Sequence, residues 1–269
     1  MNSRQSKPIG IFDSGIGGLT VVRALTGHLP HENIVYFGDT ARVPYGPKSP
    51  QVVREYSVQD TEFLMSHDVK MIVVACNTVS SVALDLVMKK AGVPVVGVIL
   101  PGAKAAVAAS KNGRVGVIGT VGTITSNAYV NAIRLLDASV TVMSQACPLF
   151  VPLAEEGWTE HQATELIAKE YLFPMKREKI DTLVLGCTHY PILAGVIARI
   201  LGDRVTLIDS GEAAASEVGE ILDARDLRNP SSAKPHIQFF VSDIPHKFTE
   251  VGERFLGHKL GRIRRAEGF

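Results

Sequence analysis

The sequence predicts an α/β protein of two pseudo-symmetric parallel-sheet domains that arose by internal duplication, with an active site in the cleft between them. Short aliphatic runs alternate with helical stretches along the chain, as parallel sheets covered on both faces require. The aliphatic runs recur in the same order at a nearly constant spacing. Two of them end alike, with Cys76 and Cys187 at the strand exits.

Four aliphatic runs of the first half find ordered counterparts in the second half. The pairs are residues 9–14 with 115–120, 34–37 with 140–143, the runs ending at Cys76 and Cys187, and 95–98 with 205–208. Each match alone is weak, because short apolar runs are common in α/β proteins. The ordered set predicts a duplicated βα unit.

Between the runs, apolar periodicity predicts helices, and Gly and Pro clusters mark the turns. The predicted helices are 19–28, 51–67, 79–91, 126–136, 161–173 and 192–201, and the turns are 15–18, 44–47, 92–94, 101–102 and 119–122.

The last unit of the chain has no partner in the repeat. It comprises a strand over 236–241 and an amphipathic helix begun by Asp243. We expect this unit and the helix after Asp209 to pack on the first half. The predicted domains are therefore 1–98 plus 210–269, and 99–209.

Composition excludes several classes of partner. The 269 residues carry a net charge of +1 and are 46% hydrophobic, which suits one or two globular domains. The basic cluster 259–265 lacks interleaved aromatics, so we expect a solvated face and no nucleic-acid contact. The first eight residues do not read as a signal peptide, and no run approaches the ~20 apolar residues of a membrane span. We expect a cytoplasmic protein with free thiols. The sequence is compatible with a homodimer.

Ligands of parallel α/β sheets gather beyond the carboxyl ends of the strands. The residues at those positions are mostly small hydroxyls, amides and glycines, whose oriented donors suit a small anion. They are Asp13, Ser14, Gly15, Asp39, Thr40, Cys76, Asn77 and Thr78 in the first half, and Gly119, Thr120, Thr123, Cys187, Thr188 and His189 in the second.

Cofactor and metal alternatives fit less well. The glycine loop 15–18 follows a strand as a dinucleotide loop would, but Thr20 stands where the last glycine of Gly-x-Gly-x-x-Gly belongs. A zinc site from Cys76, Cys187 and His189 would lack a pre-organised pair and would need Asp13 to complete it. We therefore predict no cofactor and no metal. Cys147 fits a small buried hydrophobe.

Several phrases of the chain resemble those of the glutamate racemase family. They are Gly10-Ile11-Phe12-Asp13-Ser14-Gly15-Ile16-Gly17-Gly18, Tyr36-Phe37-Gly38-Asp39, Pro44-Tyr45-Gly46, Ala75-Cys76-Asn77-Thr78, Leu185-Gly186-Cys187-Thr188-His189-Tyr190-Pro191, Phe240-Val241-Ser242-Asp243 and Arg254-Phe255-Leu256-Gly257. The resemblance implies a cofactor-independent enzyme that interconverts L- and D-glutamate and supplies D-glutamate for peptidoglycan.

The chemistry behind this resemblance needs two groups on opposite faces of Cα, one removing a proton and the other returning one. In the family, the cysteine that corresponds to Cys76 acts on D-glutamate, and the cysteine that corresponds to Cys187 acts on L-glutamate. We expect Asp13 to assist Cys76 in proton transfer and His189 to assist Cys187. Glu155 resembles the second-half acid of the family. The expected substrate contacts are Asp13, Ser14, Tyr45, Gly46, Asn77, Thr78, Thr188 and His189, with Thr120 and Thr123 as second-rank candidates.

Two rival interpretations remain open at this point. An aspartate racemase, or another two-cysteine relative, would share the fold and both thiols but present a different carboxylate pocket; His189 favours glutamate. A non-catalytic dicarboxylate-binding protein would explain the duplication but not the paired cysteines.

Overall fold

A computed structural model describes residues 4–244 and 247–269, which form two parallel β-sheets flanked by helices. The strands are β1 (Ile9–Asp13), β2 (Ile34–Gly38), β3 (Met71–Val74), β4 (Val95–Gly97), β5 (Arg114–Gly119), β6 (Thr141–Ala146), β7 (Thr182–Gly186), β8 (Thr206–Asp209), β9 (Ile237–Val241) and β10 (Ile263–Arg265). The predicted fold class is confirmed.

The strand order records the duplication. The first sheet has the order β10-β9-β2-β1-β3-β4 and the second has the order β6-β5-β7-β8. Without β9 and β10, both sheets follow the same pattern, in which the first strand of the unit lies between the second and the third. Every strand pair is parallel, so the carboxyl ends of each sheet share one edge.

Twelve α-helices connect the strands in the described part of the chain. They are α1 (Leu19–His28), α2 (Pro50–Ser66), α3 (Asn77–Val82), α4 (Leu84–Ala91), α5 (Ile99–Ala109), α6 (Val121–Thr125), α7 (Ala128–Leu136), α8 (Phe150–Glu155), α9 (Gln162–Arg177), α10 (Ala194–Leu201), α11 (Ser210–Ala224) and α12 (Phe248–Leu256). A 3₁₀ turn, Tyr190–Leu193, precedes α10. The described helices include none long and apolar enough to cross a bilayer.

The helix predicted over 79–91 is instead two helices, α3 and α4. The chain leaves helical geometry at Ala83, where φ is −134°. The break brings Leu84 and Ser80 against Gly97, where a side chain would meet the Leu84 methyls within about 3 Å. Ser80 Oγ also donates to the carbonyl of Val74, 3.0 Å away. Packing on the sheet thus overrides the continuous local periodicity.

The turn predicted at 101–102 was also wrong, because both residues lie inside α5. Pro101 is tolerated there because the first N–H groups of a helix have no partner within it. Gly102 lies at a close contact, where an added Cβ would be 3.2 Å from the Tyr129 ring. Here the proline lies in the first turn of a helix and the glycine lies at a close contact between α5 and α7.

The tail joins the first sheet, where β9 pairs with β2 and β10 pairs with β9. The helix expected from Asp243 begins only at Phe248, because the Asp243 N–H donates to Thr40 Oγ1, 3.0 Å away, and this ties the segment to the loop after β2. Helix α11 packs on α1 and on α5, so it contacts both halves. The domain boundaries 1–98 plus 210–269 and 99–209 therefore stay a prediction.

Candidate active site

A cavity of about 210 Å³ lies between the carboxyl ends of the two sheets, and both Cys76 and Cys187 line it. Cys76 follows β3 at the N-cap position of α3, and Cys187 follows β7 just before the 3₁₀ turn. The duplicated unit thus brings two thiols to one space. The other lining residues are Ser14, Val43, Pro44, Tyr45, Gly46, Pro47, Asn77, Thr78, Thr120, Val121, Pro148, Val151, Pro152, Thr188 and His189.

The Cys76 half-site holds a protonated thiol. The Cys76 S–H donates to Ser14 Oγ, 3.6 Å away, and the side chain is buried. Burial, and then the nearby Asp13 carboxylate, raise the pKa of Cys76 to about 12, because both disfavour a second negative charge in this space. At neutral pH Cys76 is therefore a thiol that can give up a proton.

Asp13 lies behind this thiol with no exposed surface. Its Oδ2 accepts from the N–H groups of Gly15, at 3.2 Å, and Gly18, at 3.0 Å, in the turn that enters α1. Its Oδ1 is buried without a hydrogen-bond partner. Burial raises the pKa of Asp13, although His189 and the backbone N–H groups oppose this. Asp13 therefore fixes the backbone of the turn before α1 through one oxygen, while its other oxygen is free to accept a proton.

The Cys187 half-site is organised around a histidine. His189 Nδ1 lies 3.8 Å from Cys187 Sγ, and Nε2 lies 2.9 Å from Glu155 Oε1. Burial lowers the pKa of His189, but the contacts with Cys187 and Glu155 outweigh it and raise the pKa to about 10. At neutral pH the ring is an imidazolium whose two N–H groups face sulfur and carboxylate. The sulfur of Cys187 therefore faces a charged hydrogen-bond donor.

Two residues of the tail complete this half-site. The ring of Phe255 packs edge-on against His189, with centroids 5.1 Å apart. Arg254 Nη1 donates to the carbonyl of Glu155, 2.9 Å away. The sequence signal for both was the phrase 254–257, which carried no predicted role.

The predicted substrate contacts lie around the cavity, except for Asp13, which stands behind its wall. Some of their polar atoms already have protein partners. The Tyr45 hydroxyl donates to buried Asp39, and Asn77 Oδ1 accepts from Tyr129 at 2.7 Å. Asn77 Nδ2 donates to Ser210 Oγ, 3.4 Å away. For Tyr45 and Asn77, substrate contact through the side chain therefore competes with internal hydrogen bonds.

A cluster of three hydroxyls joins the halves beside the cavity. Thr78 Oγ1 lies 3.0 Å from Thr120 Oγ1 and 3.4 Å from Thr123 Oγ1, and the latter two are 3.0 Å apart. Thr78 belongs to α3, whereas Thr120 caps α6. The second-rank candidates thus share one hydroxyl cluster with a first-rank candidate.

Close backbone contacts also join the two halves. The Gly122 N–H donates to the carbonyl of Gly46, 2.9 Å away, and a Cβ on Gly46 would meet Thr120 Cβ at 2.8 Å. Thr20 Oγ1 donates to the carbonyl of Thr188, 2.9 Å away. Thr20, which broke the dinucleotide motif, therefore links the glycine loop to the second half.

Sequence reasoning missed the apolar part of the wall. Two prolines, Pro148 and Pro152, and Val151 line the cavity beyond the end of β6, yet this run carries no polar signal. Cys147 is fully buried in the core and lies outside the cavity lining, in agreement with its structural interpretation. In residues 4–244 and 247–269, no three His, Cys, Asp or Glu side chains are grouped to hold a metal ion.

Comparison with known proteins agrees with this geometry. The model of the Asp/Glu/hydantoin racemase family matches residues 19–218. The chain belongs to this family. It is 58% identical to glutamate racemase of Chlorobaculum tepidum over 94% of this chain and 93% of the relative. It is 53% identical to glutamate racemase of Geobacter metallireducens over 96% and 95%. Its fold matches the crystal structure of glutamate racemase from Francisella tularensis in complex with D-glutamate with a TM-score of 0.92, 42% identity and 98% coverage of both chains.

Proposed function

We propose that this racemase-family enzyme interconverts L- and D-glutamate by proton transfer at Cα between two cysteines, without a cofactor. The observation that carries the proposal is that Cys76 and Cys187, from equivalent positions of two sheets, line one cavity. Removal of a proton on one face and its return on the other needs such a pair. Relatives more than 50% identical over nearly the whole chain are named glutamate racemase, which supports glutamate as the substrate.

The two half-sites differ in the way that one direction of turnover requires. In the L-to-D direction, the Cys187 thiolate takes the Cα proton and becomes a thiol. The Cys76 thiol then gives its proton to the opposite face and becomes a thiolate. The protonation states described above suit this direction in the free enzyme. The D-to-L direction starts from the reverse assignment, reached by proton exchange with solvent between turnovers.

Binding has to hold Cα between the two sulfurs. We propose that backbone N–H groups and hydroxyls of the 43–47 loop and of Thr78, Thr120 and Thr188 take the carboxylates. The unpartnered Oδ1 of Asp13, behind the cavity wall, is suited to accept a proton from the Cys76 side. His189, itself oriented by Glu155, positions the sulfur of Cys187.

Proton NMR in D₂O tests the reaction and the substrate together. Purified, reduced protein with EDTA is given L-glutamate and, separately, L-aspartate. We expect the Cα–H signal and the optical rotation of glutamate to be lost, and those of aspartate to persist. Exchange of aspartate alone would favour the aspartate racemase interpretation. Exchange of neither substrate by folded protein with titratable thiols would favour a dicarboxylate-binding protein.

For the cell, we propose a cytoplasmic enzyme that supplies D-glutamate for peptidoglycan and so supports cell-wall biogenesis and cell shape. Depletion of the protein in its host, with and without external D-glutamate, tests this role. We expect lysis or rounding that D-glutamate relieves, and a phenotype insensitive to D-glutamate would contradict it. We also propose a homodimer, which sedimentation velocity distinguishes from a monomer.

A further inference from the structure

Two buried carboxylates lie behind the loop that forms one wall of the cavity. Asp39 follows β2, Asp60 lies within α2, and neither has exposed surface. A buried carboxylate costs free energy unless it is paired and hydrogen-bonded. The partners of these two acids therefore indicate what the acids hold in place.

A single guanidinium bridges the pair. Arg42 Nε lies 2.6 Å from Asp39 Oδ2, and Arg42 Nη2 lies 3.0 Å from Asp60 Oδ1. The guanidinium also packs over the ring of Tyr56, 4.2 Å from its centroid. The fork geometry of arginine suits this double contact, which a lysine could not reproduce. One cation faces two acids, so the cluster holds a surplus of acid.

Tyr45 contacts both acids through one hydroxyl. It donates a short hydrogen bond to Asp39 Oδ2, and its oxygen lies 3.2 Å from Asp60 Oδ2. A phenol has one hydrogen to donate, so the second contact is satisfied when the other acid carries a proton and donates to the phenol oxygen. Burial, and then Asp39, raise the pKa of Asp60 well above its usual range. The geometry thus links Asp60 to Asp39 through the hydroxyl of Tyr45.

This link connects to the cavity through the loop that Tyr45 belongs to. Residues 43–47 line the cavity, and the carbonyl of Gly46 accepts from the N–H of Gly122 in the second half. The loop is therefore held from behind by the acid pair and from in front by the other half. A shift of Tyr45 would move the cavity wall and loosen this contact.

We propose that Asp60 is a positioning residue, which acts through Arg42 and Tyr45 to set the 43–47 wall for substrate binding. It touches neither thiol nor, by this proposal, substrate. The inference deepens the proposed function and rests on it, because it concerns how the same cavity binds glutamate. It predicts an effect on KM that exceeds the effect on kcat.

The test is steady-state racemisation of glutamate by three variants beside the wild type. Asp60→Ala removes both contacts, and we expect KM to rise about tenfold while kcat changes less than about threefold. Asp60→Asn can still accept from Arg42 and donate to the Tyr45 oxygen, so we expect KM within about threefold of wild type. Asp85→Ala is the matched control, since Asp85, like Asp60, forms an ion pair with an arginine, in this case Arg54, but is exposed. It should leave KM unchanged.

Wild-type KM in folded Asp60→Ala, or equal losses in Asp60→Asn and Asp60→Ala, would overturn the inference. If circular dichroism shows Asp60→Ala unfolded, Arg42→Lys decides, because it keeps the charge but loses the fork. We then expect KM raised severalfold, and an unchanged KM overturns the proposal. Inactive wild-type protein would instead contradict the proposed function, so the two failures are distinguishable.

Discussion

The Cys76 and Cys187 half-sites occupy the same position of a duplicated unit, yet their surroundings are chemically opposite. Cys76 has a buried carboxylate nearby, and its pKa is raised to about 12. Cys187 has an imidazolium 3.8 Å away, itself paired with Glu155. The Glu155 side chain is 38% exposed, whereas Asp13 is wholly buried. Duplication placed two cysteines on one cavity, and divergence of their neighbours placed a carboxylate near one and an imidazolium near the other.

This difference matters because a symmetric pair would be a poor catalyst in its free state. Two thiols would lack a base, and two thiolates would lack an acid and repel each other. An enzyme with one of each is ready for one enantiomer as soon as it binds. The kinetic ratio kcat/KM cannot reveal which, because the enantiomers have equal free energy and this ratio must be equal in both directions. The asymmetry must be sought in the free protein.

Replacement of either cavity cysteine is expected to have the largest effect on racemisation. We expect Cys76→Ser and Cys187→Ser each to lower kcat/KM about 10²–10⁴-fold, since each removes an acid or base of the proton transfer. Chiral chromatography of the product measures the loss. Cys147→Ala is the control, because Cys147 is buried outside the cavity lining, and it should stay active. Loss of activity in only one serine variant would contradict the two-base mechanism.

Replacement of Glu155, the partner of His189 beside Cys187, is expected to have a smaller effect on kcat/KM. Glu155→Gln keeps the shape of the side chain but removes the charge that helps to keep His189 protonated. We expect kcat/KM to fall about tenfold, by the strength of a charge-assisted hydrogen bond. Glu156→Gln, on the exposed neighbour that pairs with Lys247, should have no effect. Equal effects of the two would show that Glu155 acts only as surface charge.

The contact between the halves is tested with glycine. Gly46→Ala places a Cβ 2.8 Å from Thr120 Cβ, so the loop or the threonine must move. We expect KM for glutamate to rise about threefold to tenfold, because the cavity wall is displaced. Gly27→Ala meets nothing within 4 Å and should leave KM unchanged. An unaltered KM in Gly46→Ala would show that the loop is not held as described.

The stability of the Cys187 side should depend on pH. The pKa of His189 is raised from its ordinary ~6.5 to about 10. Its charged form therefore stabilises the fold fully below about pH 6.5 and progressively less as the pH rises towards about 10. We expect the Tm difference between wild type and His189→Gln to shrink over that range. A difference that grows with pH would contradict a protonated His189.

Much of this site could be predicted from the sequence, because the carboxyl ends of parallel strands lie at one edge of a sheet. Cys76, Asn77, Thr188 and His189 needed only the strand ends and the repeat to be brought together. Helix α1 also matched its predicted bounds, because a glycine loop and a regular apolar pattern both mark it.

The remaining features depend on contacts between distant segments. The sequence placed Tyr45 near the substrate, but only the fold shows its hydroxyl held by Asp39 and close to Asp60 of α2. The division of 79–91 and the helix around Pro101 also depend on tertiary packing, which local periodicity does not contain. The role of Arg254 depends on the tail returning to the first half.

The most direct test of the asymmetry is thiolate absorbance near 240 nm in the free protein at neutral pH, compared among wild type, Cys76→Ser and Cys187→Ser. The proposed L-to-D direction places the thiolate at Cys187, beside a His189 whose pKa is raised to about 10, and the thiol at Cys76, whose pKa is raised to about 12. We predict that the absorbance persists in Cys76→Ser and disappears in Cys187→Ser. Its loss in Cys76→Ser with retention in Cys187→Ser would reverse the assignment and contradict the account of the two half-sites.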